Sequence, residues 1–170
     1  LLDLLDHLAA RGTRRVALWG GEPLVRPDIG LLVERCARHG FWTSLDTNGI
    51  LFPEKVAELR GLSHVLFSLD GNEEGHDTNR GEGSYATTVQ AIETAAAEGF
   101  SLGTITVLTR HNLDQIDHVL DLAERYRYKA AFQVVHHTEG LDAGKGEGFL
   151  PVDEDYRRAI RYLRESKDRG

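Results

Sequence analysis

The chain has 170 residues, 20 of them basic and 27 acidic, for a net charge of −7. That length suits one domain with a sizeable core, and that charge argues against a broad basic surface for nucleic acid or an anionic membrane. No apolar run approaches the roughly 20 residues of a membrane span, and the first eight residues lack the basic flank and long apolar core of a signal peptide; a soluble, cytoplasmic protein is expected.

Leu1, Leu4, Leu5 and Leu8 recur at helical spacing, and Arg11-Gly12 closes that opening helix. Strand patterns then begin near Arg15, Phe41, His64, Ser101 and Ala131. Each is followed by a helical pattern, over 28–39, 53–59, 85–98, 113–125 and 153–165. The runs 16–19, 41–45 and 65–69 contain no charged residue, which fits parallel strands covered on both faces by helices. An α/β fold built on a parallel sheet is expected, as one domain over 1–170. The opening helix has no strand before it, so the natural chain is expected to begin earlier and this segment to have lost its first strand, leaving one sheet edge unpaired. Gly40, Gly61 and Gly99 sit between a helix and the next strand, where left-handed caps are useful.

Cys36 is the only cysteine and excludes an internal disulfide. It falls on the helical stripe Ile29, Leu32, Val33, Cys36, Ala37, and a core position is expected. An iron-sulfur cubane normally needs three or four thiolates, more than this sequence holds.

Two stretches carry the chemistry. In the first, Val16-Ala17-Leu18-Trp19 leads into Gly20-Gly21-Glu22-Pro23-Leu24. The paired glycines let a ligand approach the backbone, Pro23 fixes the exit direction, and Glu22 stands at the strand's carboxyl end, where α/β folds place their ligands. The second is Ser68-Leu69-Asp70-Gly71, then His76-Asp77 and Arg80-Gly81-Glu82-Gly83-Ser84, in the long polar connection 70–83. It gathers a hydroxyl, carboxylates, an imidazole and a guanidinium beside one strand end. Weaker signals are Thr47-Asn48-Gly49, Asn112 and Phe132-Gln133. His136-His137 with Glu139 contains good metal ligands, yet neighbours on a strand point to opposite faces, and a polar strand end is the expectation.

On these residues alone two enzyme classes stay open. Glu22, Asp46 and Asp70, all at one face, would suit a divalent-metal aldolase or isomerase barrel. Gly81-Glu82-Gly83-Ser84-Tyr85-Ala86 fits the dinucleotide fingerprint G-x-G-x-x-A, although a charged loop separates it from the preceding strand.

As an ordered set, GGEPL, TNG, SLDG, HD with Arg80, and GSY resemble the core of radical S-adenosylmethionine (radical SAM) enzymes, especially sulfatase maturases and peptide-modifying members. The resemblance implies a partial (β/α)6 TIM-like barrel, here truncated by its first strand. It implies SAM held by Gly20, Gly21, Glu22, Pro23, Asn48, Ser68, Asp70, Arg80 and Phe132, with the GGE turn on the methionine end and Ser68 and Arg80 in contact with SAM. Arg80 is suited to a carboxylate because its planar fork offers two parallel hydrogen bonds. It further implies a [4Fe-4S] cluster whose Cys-x-x-x-Cys-x-x-Cys ligands are expected upstream of Leu1. Reductive cleavage of SAM to a 5′-deoxyadenosyl radical would follow, with hydrogen abstraction from a small-molecule or peptide substrate and flavodoxin or ferredoxin as electron donor. No catalytic side chain is assigned, and this segment alone is expected to be inactive. A non-catalytic SAM-binding domain is the remaining alternative.

Overall fold

The computed structural model describes residues 1–135 and 148–169. The order of elements is α1 (Leu2–Ala10), β1 (Arg15–Leu18), a short 3-10 turn (Pro23–Val25), α2 (Ile29–Arg38), β2 (Trp42–Thr47), α3 (Phe52–Lys55, continued by the 3-10 turn Val56–Leu59) and β3 (His64–Ser68). There follow α4 (Glu73–Arg80), α5 (Ser84–Ala97), β4 (Leu102–Leu108), α6 (Ile116–Arg125), β5 (Lys129–Val134) and α7 (Asp153–Arg169). Among the described residues the strands form one parallel, open sheet in the order β1-β2-β3-β4-β5. The expected α/β architecture is present, and β1 is an edge strand.

The two faces of this sheet differ, and the register shows how. Leu18 pairs with Leu45, Leu45 with Val65, Phe67 with Thr104 and Thr106 with Phe132. Residues of this face pack with Ile29 and Val33 of α2, Ala91, Ile92 and Ala95 of α5, and Val119 and Leu122 of α6. Phe52 and Phe67 meet edge to face at its centre, 5.0 Å between ring centroids. Smaller clusters extend the same layer, one through Leu5 of α1 with Cys36 and Phe41, the other through Ala159 of α7 with Leu108 and Ile116. Cys36 is therefore a core residue, and burial pushes its thiol pKa up.

The opposite face carries Ala17, Ser44, Asp46, Leu66, Ser68, Ile105 and Gln133. None of these belongs to a core cluster among the described residues. The expectation that helices cover both faces is thus corrected: they lie on one side. Within the charge-free runs this second face carries Ala17, Trp42, Ser44, Leu66 and Ser68, uncharged residues that are not helix contacts. Near its amino-terminal end Arg15 lies 4.5 Å from the Trp42 ring, which stacks on His64.

The connection 70–83 contains α4, a helix the apolar periodicity does not announce. Asn72 caps it by accepting from Gly75 N at 3.1 Å, Glu73 and Glu74 occupy its positive first turn, and Arg80 its last. Gly61 differs from the expected left-handed cap. Gly40 and Gly99 have φ of 68° and 76°, but Gly61 has no positive φ and is glycine because an added Cβ would lie 3.0 Å from Val33 Cγ1 of α2.

Because Phe67 is fully buried where three helices meet the sheet, Phe67→Ala is expected to cost about 3–5 kcal/mol. The change should appear in urea unfolding as a lowered midpoint with an unchanged slope.

Candidate functional site

All strands being parallel, their carboxyl ends share one side of the sheet, and two carboxylates tie these ends together. Glu22 follows β1. One of its oxygens accepts from Leu24 N at 2.9 Å and Thr47 Oγ1 at 2.8 Å, the other from Asn48 N at 2.8 Å. The side chain therefore joins the β1 loop to the end of β2. Asp70 follows β3, is buried, and accepts from Val107 N of β4 at 2.8 Å and from Arg80 Nε of α4 at 2.6 Å.

Glu22 and Ser68 thus stand at the same end of the sheet. The Glu22 carboxylate is turned inward to the protein, leaving the backbone of Gly20 and Gly21 exposed. Gly20 has φ of 143°, whereas Gly21 lacks a positive φ, and a Cβ added there would meet nothing within 4 Å. Nothing among the described residues requires Gly21 to be glycine. That is the pattern expected where a ligand lies against main chain. Pro23 and Leu24 are buried and anchor the turn.

Arg80 is held by Asp70 rather than by Asp77 or Glu82. Its side chain is 28% exposed, and with Nε committed its two terminal nitrogens remain for a ligand. Asp77 instead serves α5, accepting from Gly83 N at 2.7 Å and Tyr85 N at 2.8 Å. Those backbone donors hold its carboxyl below the usual carboxylate range.

Beside Arg80 lies a cavity of about 280 Å³, lined by Asn48, by His76, Asn79 and Arg80 of α4, and by Ser84 and Thr88 of α5. Of the sequence-predicted residues it gathers Asn48 and Arg80. Glu22 is bonded to Asn48 of its lining and Asp70 to Arg80, while Gly20, Gly21 and Pro23 are not among the lining residues. Ser68 lies on the helix-free face, paired with Ile105. Phe132 is placed elsewhere: its side chain packs into the helix-side clusters, on the face opposite Ser68, so the two do not line one cavity. Alternation along β5 decides this, since Gln133 is the residue of that pair facing the other way.

His76, counted in the sequence as the imidazole of the polar stretch but given no binding role, and Asn79, which the sequence did not single out, are further functional candidates. His76 Nδ1 accepts from Asp70 N at 3.0 Å, which places the neutral ring's proton on Nε2. Nε2 is buried and has no partner among the described residues, and neither does Asn79 Nδ2. The Asn72 cap and the position of His76 four residues later are the signal that could have found them.

The metal reading of Glu22, Asp46 and Asp70 does not survive. Two of the three are spent on the bonds above, Asp46 lies on the helix-free face near His64, and no metal-holding group occurs among the described residues. Burial raises the Asp46 pKa, partly countered by His64, and the same burial lowers that of His64. The 81–86 fingerprint opens α5 but follows helix α4 rather than a strand, which removes its structural context. Asn112 is structural, donating from Nδ2 to the carbonyls of Asp70 and Val107. His136, His137 and Glu139 lie outside the described residues.

Burial, and next the positive charge of Arg80, lower the His76 pKa to about 4, partly countered by Asp70 and Asp77. The unfolded chain, with an ordinary imidazole near 6.5, binds the proton first, so stability is lost as pH falls from about 6.5 towards 4. The loss should amount to roughly 3 kcal/mol. Urea unfolding at pH 7, 5.5 and 4.5 checks this: that increment should be present in the wild type and missing from His76→Gln.

Comparison with known proteins bears on what this site is. The family model "Radical SAM superfamily" matches residues 1–123. The chain is 41% identical to the mycofactocin maturase MftC of Mycobacterium ulcerans over 129 residues, covering 73% of this chain and 35% of that protein. It is 34% identical to MftC of Mycolicibacterium smegmatis over 173 residues, covering 98% and 44%. The chain thus spans less than half the length of these curated relatives. Among solved structures, Streptococcus suis SuiB bound to S-adenosylmethionine matches with a TM-score of 0.79 over 99% of this chain and 40% of that one, at 19% identity. SuiB bound to precursor peptide SuiA matches with a TM-score of 0.76 over 99% and 38%, also at 19% identity. These two structural likenesses concern the fold, and in it the open parallel sheet corresponds to a partial barrel with its helices outside. The family match extends from α1 into α6 and includes the Gly20-Gly21-Glu22 turn and the Asp70–Arg80 pair: the chain belongs to the radical SAM superfamily.

Proposed function

We propose that this chain is the SAM-binding core of a radical SAM enzyme that modifies a peptide. The observation that carries the reading is the Gly20-Gly21 turn, open to a ligand and locked by Glu22 to Asn48 on the rim of a cavity containing Arg80. Family membership supports SAM as the ligand. The name of the maturase relatives and the peptide bound to SuiB support a peptide substrate.

In this reading the backbone of Gly20 and Gly21 receives the methionine end of SAM. Arg80, oriented by Asp70, holds its carboxylate, and Ser68 contacts it from the helix-free face. SAM bound at a [4Fe-4S] cluster would supply one-electron radical chemistry for hydrogen abstraction from the substrate. The chain's own contribution is positioning: the carboxylate staples keep the glycine turn and the guanidinium in fixed relation, so that the reactive group meets one C–H bond. No residue described here suits the cluster, since the only cysteine is buried in the core between α1 and α2. Its thiolates are assigned to residues outside this sequence, and the 170 residues by themselves are not expected to cleave SAM. The electron would come from an external one-electron donor such as flavodoxin or ferredoxin. Residues 1–170 act as one core domain in this proposal.

Arg80 provides the test. A charge-assisted bond to a carboxylate contributes about 1.5–3 kcal/mol, so Arg80→Ala should weaken SAM binding by roughly ten- to a hundredfold. Arg80→Lys should recover only part, because a point charge cannot reproduce the fork. Calorimetric titration of SAM checks both, at a temperature where unfolding curves show each variant folded, since Arg80→Ala also leaves Asp70 unpaired. Unchanged affinity in folded Arg80→Ala removes the assigned role.

A further inference from the structure

We propose that the cavity between α4, α5 and Asn48 is a carboxylate site in which His76 Nε2–H and Asn79 Nδ2–H are ligand donors alongside the terminal nitrogens of Arg80. The inference deepens the SAM reading and shares Arg80 with it; what it adds is His76 and Asn79 as binding residues.

Three observations converge. Two side-chain nitrogens of α4, three positions apart and so on one side of the helix, are buried with no partner among the described residues. Both residues line the same cavity, with Arg80 between Nε bound to Asp70 and two uncommitted nitrogens. The side-chain amide acceptors of the lining are already engaged, Asn48 Oδ1 by Ile50 N and Asn79 Oδ1 by Thr109 Oγ1, and the hydroxyls of Ser84 and Thr88 are directed as donors to Gly81 O and Asn48 O. A buried donor left unmade is costly, and donors in such excess suit a ligand rich in acceptors.

The charge of that ligand follows from its neighbours. Asp70 and Asp77 lie beside the cavity, and Asp70 has taken up much of the Arg80 charge. His76 is neutral, so it offers a hydrogen bond without a second positive charge. A dianion such as phosphate would face two carboxylates with one shared cation, whereas a monoanion with two planar acceptors matches the remaining edge of the guanidinium. A carboxylate meets both conditions. It could belong to the methionine part of SAM or to the substrate.

The test follows His76 directly. In protein carrying ¹⁵N-labelled histidine rings, His76 should appear as the Nε2–H tautomer, and acetate, then L-methionine, should move its Nε2 resonance. Asn79→Asp keeps the acceptor for Thr109 but replaces the donor with a negative charge, and should weaken acetate binding about tenfold or more. His76→Gln, followed by calorimetry, should weaken it less. Titrations with SAM and with decarboxylated SAM separate the two sources. If the carboxylate is that of SAM, Asn79→Asp weakens SAM about tenfold and leaves its decarboxylated form within about twofold. If it is the substrate's, both forms bind Asn79→Asp as they bind the wild type, while acetate binding is still lost. A His76 resonance unmoved by acetate, L-methionine and SAM overturns the proposal, as does an equal response in Asn79→Asp. Failure of the SAM reading looks different: SAM does not bind, while acetate still moves His76. SAM binding that depends on Arg80, with His76 silent, retains the earlier reading and discards this one.

Discussion

The fixed relation between the carboxyl ends of β1, β2, β3 and β4 rests on two carboxylates that bind protein donors. Glu22 spans from the β1 loop to the end of β2, and Asp70 from the end of β3 to Val107 of β4 and to Arg80 of α4. A carboxylate suits this task because its two oxygens can accept several hydrogen bonds at once, and bonds to an ionised acceptor are stronger than neutral ones. Strand ends are otherwise where a parallel sheet is loosest, because the ladder stops and the loops diverge. Here the loops that would diverge are joined through side chains, and the backbone of Gly20 and Gly21 is held from the adjoining Glu22.

This arrangement depends in turn on the unequal faces of the sheet. The helix side is filled by Phe52, Phe67 and Leu45, all fully buried, and by their partners, so the strands are packed from that side. The other face is free to carry polar residues such as Ser44, Asp46 and Ser68, which a core on both sides would exclude. One-sided packing usually belongs to antiparallel sheets. A parallel sheet can adopt it when its second face is the inside of a barrel, and the structural likeness to SuiB places the chain in such a fold.

Most of the scaffold was legible in the sequence, because apolar periodicity reports burial on the side that helices cover. The strands begin within two residues of where the pattern put them, and Cys36 sits in the core as its stripe implied. What escaped has a physical reason in each case. Helix α4 buries Gly75 and His76 rather than an apolar stripe, so its existence is written in a cap and in charge placement, which periodicity does not detect. Phe132 was assigned to a ligand by its place in a motif, but alternation along β5 turns it to the helices and leaves Gln133 on the other face. Glu22 and Asp70 were read as groups presented to a ligand or metal because the sequence shows an acid at a strand end, not the backbone amides waiting for it. Gly61 was read as a cap because its position between helix and strand is visible, whereas the close approach of Val33 is a tertiary fact.

The two unpartnered donors of α4 sharpen the distinction between what holds the fold and what serves a ligand. Each buried donor without a partner costs about 1–3 kcal/mol, an appreciable part of the roughly 5–15 kcal/mol by which domains are stable. Elsewhere around the site, polar groups are paired with care: Asn112 alone bridges the carbonyls of Asp70 and Val107 and accepts from Thr109 N. A sequence able to satisfy Asn112 so fully could have placed an acceptor opposite His76 Nε2. That it instead fixes the His76 tautomer through Asp70 N, and leaves the proton on the nitrogen without a partner, is the kind of local cost that accumulates where binding is prepared in advance. The same Asp70 that orients Arg80 through its carboxylate orients His76 through its amide. One residue at the end of β3 therefore aims two donors of different charge from a single rigid point.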